Sequence, residues 1–79
     1  MTAREAIDKI HPVIDRYRWT AVAAHDRLVV LRNSKGQVCC NIGITEQGAT
    51  AVNPVYIGQK TLCGSLAQRE LRDALKVTP

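Results

Sequence analysis

The segment "LVVLRNSKGQVCCNIGIT", residues 28–45, limits what this chain can fold into more than any other stretch. Two apolar runs flank "NSKG". Asn33 suits the first position of a type I turn, and Gly36 suits the left-handed residue that closes a hairpin. A turn closed there with a one-residue bulge places Val30 opposite Cys40, Leu28 opposite Ile42 and Arg32 opposite Val38. Side chains alternate along a strand, so Leu28, Val30, Val38, Cys40, Ile42 and Ile44 are expected on one continuous apolar face. Arg27, Val29, Leu31, Cys39, Asn41 and Thr45 are then expected on the other. By this reading the adjacent thiols point in opposite directions, Cys40 as a small core residue and Cys39 partly exposed.

Helical periodicity brackets this hairpin. "TARE" has a capping-box pattern at Thr2 and Glu5. Ala3, Ala6, Ile7, Ile10, Val13, Ile14 and Tyr17 follow on a single stripe. Pro12 lies within it, so the stripe is either a kinked helix, favoured because the phase continues, or a short helix followed by a turn. "RWTAVAA" and "RLVVLR", separated by His25 and Asp26, read as paired strands. "EQGA" supplies a further turn, and Pro54 makes "ATAVNPVYI" an edge strand or a break. Ser65 and Gln68 form a second capping-box pattern ahead of a stripe of Ala67, Leu71, Ala74 and Leu75, with Lys76 near the helix C-terminus. A start at Thr61 is the alternative, weakened by Gly64.

The expected fold is therefore α+β, a single domain over residues 1–79. It is a two-layer sandwich in α-β-β-β-α order, with an antiparallel sheet of three to four strands flanked by an N-terminal and a C-terminal helix. Its second sheet face is left open, unless a long loop or the C-terminal tail covers it. A chain of 79 residues buries only roughly 60–65% of its unfolded surface, which leaves a thin core.

Composition narrows the function. The apolar runs are too short to cross a bilayer, and "MTAREAIDKI" is charged where a secretion signal needs an apolar segment. Three cysteines cannot all pair within one chain. Free thiols and a cytoplasmic location are expected. The net charge is +4, and the excess sits in the middle: Arg18, Arg27, Arg32, Lys35 and Lys60 against Asp26 and Glu46.

Neither a zinc-ligand spacing, a phosphate loop nor a dinucleotide fingerprint is present. His25 with Cys39 or Cys40 is the one formal nucleophile pair, and it lacks an orienting third group. With little volume for a substrate cavity, the expectation is a non-enzyme that takes no metal, no cofactor and no small-molecule substrate.

Binding remains. The α-β-β-β-α order resembles the double-stranded-RNA-binding domain. That resemblance implies a basic cluster opening the last helix, yet "GQKTLCGSLAQRE" offers only Lys60 before Arg69. His25 is the one match to the histidine that the family carries between its first strands. Single-strand binding would want stacking aromatics, and Tyr17, Trp19 and Tyr56 are the only ones.

In size and organisation the chain also resembles small phage-encoded inhibitors of the anti-CRISPR type. This implies a stoichiometric inhibitor that masks a functional surface of a larger host complex. The expected contact surface is Arg27, Val29, Leu31, Arg32, Lys35 and Cys39, meeting an acidic or polar patch on the protein target. Arginine–carboxylate contacts would orient it, and the apolar centre would supply most of the affinity.

Overall fold

The computed structural model describes residues 1–76. Helix α1 (Ala3–Tyr17) leads into strands β1 (Thr20–His25), β2 (Leu28–Arg32), β3 (Val38–Ile44) and β4 (Thr50–Pro54). A small hairpin, β5 (Tyr56–Ile57) and β6 (Lys60–Thr61), precedes helix α2 (Ser65–Leu75). The four longer strands form an antiparallel sheet in the order β1-β2-β3-β4. Both helices lie on one side of it, α1 across β1 and β2, α2 against β4 and α1. This is the expected α+β sandwich, with four strands in its sheet and an extra two-stranded ribbon.

Local chemistry explains the helices. Thr2 caps α1 and forms the reciprocal capping box with Glu5. The helix runs through Pro12 without ending, and Pro12 lies on the exposed side. Ala3, Ala6, Ile10, Val13 and Ile14 are buried, while Ile7 and Tyr17 flank them half-buried. Helix α2 buries Ala67, Leu71 and Leu75. Its N-cap is Gly64 rather than Ser65, with no side-chain cap. The Gln68 amide instead donates to the Cys63 carbonyl at 2.8 Å. The alternative start at Thr61 is not taken, because Lys60 and Thr61 pair with Ile57 and Tyr56.

The two helices are joined by Arg16 Nη1 bonding Glu70 Oε1. Beside this contact Tyr17 stacks on Trp19, ring centroids 5.0 Å apart. The Tyr17 hydroxyl is held above its ordinary pKa, first by a hydrogen bond to Glu70.

The β2–β3 turn forms as expected. Gly36 has φ +80°, the Asn33 side chain accepts from the amides of Lys35 and Gln37, and Arg32 pairs with Val38. Beyond that pair the register departs from strict alternation. Leu31 faces Cys40, Val30 faces Asn41 and Val29 faces Ile42. Cys39 is an inserted residue, a β-bulge.

One extra residue inverts the parity of β2 relative to β3. The buried sheet face is therefore Val29, Leu31, Cys40, Ile42 and Ile44, and Leu28 and Val30 lie on the other side. Cys39 and Cys40 are both fully buried. The expectation that one thiol is accessible is corrected by this bulge.

Candidate functional site

The face turned away from the helices is built in three rows across the sheet. Val22, Val30, Asn41 and Asn53 make the central row. Thr20, Arg32 and Val38 lie toward the β2–β3 turn, and Leu28, Gly43 and Ala51 toward the opposite end. Val22 is 54% exposed, and Leu28, Val30 and Val38 are half-buried. Gly43 adds no side chain, so the face is shallow there, bordered by the Asn53 amide. Arg32 is the one charged side chain in these rows, and no carboxylate shares them.

Against this geometry the expected contact surface divides. Val29, Leu31 and Cys39 are sealed in the core at 0% exposure. They cannot meet a partner, and their assignment to the open face is corrected. Arg32 does lie on that face, opposite Thr20 and Val38. Lys35 sits in the adjoining turn, exposed. Arg27 precedes β2 at its other end, roughly 17 Å from Arg32 along the strand, where it forms an exposed ion pair with Glu46 at 3.3 Å.

Val22, Leu28, Val30, Val38, Asn41 and Asn53, which the sequence reading did not group as a site, supply most of the surface. Asn41 was already expected on this face, whereas Leu28, Val30 and Val38 reach it only because of the bulge at Cys39. Nothing in "VCCN" distinguishes a bulged residue from an alternating one.

The three thiols lie in the core. Cys39 donates to the Leu31 carbonyl at 3.5 Å, and burial pushes its pKa up to about 11. Cys40, whose Sγ donates to the Asn41 carbonyl at 3.6 Å, is also pushed up, first by its side-chain hydrogen bond with Cys63 and then by burial. Cys63, directly before the α2 N-cap, is correspondingly lowered by that hydrogen bond, with the Arg72 charge assisting against burial. All three are reduced and buried.

His25 is exposed on the hairpin, its Nδ1 accepting from the Arg27 amide at 3.2 Å. It is not joined to any of the thiols. Among the described residues, no group of three or more His, Cys, Asp or Glu side chains is arranged to hold a metal ion. No pocket is present among them, and no helix is long and apolar enough to cross a membrane. The opening turn of α2 carries no basic residue, and Lys60 lies on β6.

No protein-family model, curated protein or solved structure matches the chain.

Proposed function

We propose that this chain is a non-catalytic protein-binding module that docks through its uncovered sheet face. The face that neither helix covers carries this reading; the end of the C-terminal tail, residues 77–79, lies outside the described residues. The apolar centre of this face, Val22, Leu28, Val30 and Val38, is edged by Arg32, Asn41 and Asn53. An apolar patch rimmed by polar groups is what a protein contact needs. The apolar centre supplies affinity by excluding water, and Arg32 orients the partner through a forked contact with a carboxylate. The partner's patch is polar or acidic at its rim.

The mode of action we favour is stoichiometric inhibition, with the face masking a functional surface of a larger host complex. This is the manner of the small phage-encoded, anti-CRISPR-type inhibitors that the chain resembles in size and organisation, and it places the protein in the cytoplasm with that complex.

The test is retention of a complex by the tagged protein from lysate of its host cell, with Val30→Asp and Arg32→Glu as variants. One complex retained at a fixed ratio, lost in both variants and kept in Arg27→Ala, supports the reading. Retention that ignores Val30→Asp and Arg32→Glu defeats it. So does binding of duplex or single-stranded nucleic acid that weakens steeply as salt rises.

A further inference from the structure

The sheet has two edges, and they are not alike. The β4 edge ends in Pro54, which cannot donate to a further strand. The β1 edge, "TAVAAH", carries neither proline nor a charged residue, and five of its six residues are exposed. On one side β1 pairs with β2. On the other, no hydrogen bond among the described residues engages the backbone of residues 20–24. Edges without lysine, proline or cover are the ones that accept another strand.

We propose that this edge pairs antiparallel with β1 of a second copy of the chain, about a two-fold axis at Val22. Such an isologous contact is self-complementary by symmetry, and the sequence of β1 satisfies that demand. With Val22 opposite Val22 of the second copy, Thr20 meets Ala24 and, on the helix side, Ala21 meets Ala23. These pairs are small and uncharged, so no like charges are opposed across the junction. The irregularity between Ala23 and His25 turns the strand end aside and confines the pairing to residues 20–24.

Charge selects a second copy over other strands. Beyond the paired residues, the two-fold brings the end of one β1 that carries Arg18 to the end of the other that carries Asp26, twice per dimer. Both residues are exposed, and neither forms an ion pair within the described residues. Both are also held in place. The Arg18 amide donates to the Asp15 carbonyl at 3.3 Å, and the Asp26 carbonyl accepts from the Ala3 amide at 2.7 Å. The result is an eight-stranded sheet whose two open faces are continuous. This dimer does not rest on the proposed inhibitory function and can fail or hold independently of it.

Sedimentation equilibrium of the full chain under reducing conditions tests the pairing. The expectation is a dimer with a dissociation constant on the order of micromolar. Arg18→Asp and Asp26→Arg each weaken it about tenfold, and the double variant, which exchanges the two charges, restores it to within about threefold.

A second arm uses cross-linking, which the buried native thiols do not confuse. Paired strand positions lie about 4.5–5.5 Å apart, within disulfide reach, so Val22→Cys gives a covalent dimer on mild oxidation. Thr20→Cys does not, because the two copies of that position lie roughly 13 Å apart along the strands. A chain that stays monomeric to about a hundred micromolar overturns the proposal. A dimer that ignores the charge exchange and fails to cross-link at Val22 pairs through another surface, and overturns it equally.

Discussion

On the helix side of β2, Val29 and Leu31 are sealed from solvent, whereas Leu28 and Val30, each one position away, stay partly exposed on the other side. Residue type does not explain the difference, because both sides of β2 carry a valine and a leucine. The side is decided by which residues find α1 and α2 above them, and that follows from the bulge at Cys39. An apolar strand is thus compatible with either face as core. A single inserted residue on its neighbour fixes the choice.

The comparison is most sharply tested by truncation on each side. Leu31→Ala removes a fully buried side chain and should cost about 2–5 kcal/mol in chemical denaturation. Val30→Ala on the open face should cost less than about 1 kcal/mol. Small domains have little stability to spare, so the first variant will be largely unfolded at moderate denaturant. Equal costs would mean that the two faces are not distinct.

A smaller effect probes the bulge itself. Cys39→Ser places a hydroxyl in a sealed site and should destabilise by about 1–3 kcal/mol. Val38→Ser, at the half-buried neighbour, should fall within about 1 kcal/mol. Thiol reagents should find no reactive cysteine in the native chain and three after unfolding.

The raised pKa of Cys39 has a consequence at alkaline pH. A thiol that ionises at about 11 in the folded chain and near 9.0 when unfolded keeps its proton longer in the native state. The unfolded state releases that proton first, so the contribution of Cys39 is complete below the unfolded pKa. It is lost as pH rises from about 9 to 11. Stability against pH in this window should decline less steeply in Cys39→Ala than in the parent chain. Identical slopes would mean that Cys39 is not sealed.

The smallest expected effect is at the periphery. Arg27 and Glu46 are both well exposed, and Arg27→Ala should change stability by about 0–1 kcal/mol, with binding by the open face unaffected. A larger loss would extend the working surface to that end of the sheet.

Much of this architecture was legible in the chain because its signals are local. The Thr2–Glu5 box, the phase of the α1 stripe across Pro12 and the demand for a left-handed residue at Gly36 each depend on a few neighbouring residues. All three are present. Arg32 was also legible as a surface cation, because an unpaired guanidinium stays in water whichever sheet face becomes the core. The rest of the candidate site was not. Val22, Leu28, Val30 and Val38 became its centre, while Val29, Leu31 and Cys39 went to the core, because parity beyond the turn depends on a bulge with no mark of its own.

The sequence by itself determined the element order, the helix starts and stripes, and the hairpin turn, since periodicity, caps and turn dihedrals act over a few residues. Which side of the sheet became interior, and the gathering of three cysteines in it, was decided only when two helices packed against the strands. Hydrophobic burial is non-directional. With both faces of β2 apolar, the choice was left to tertiary packing.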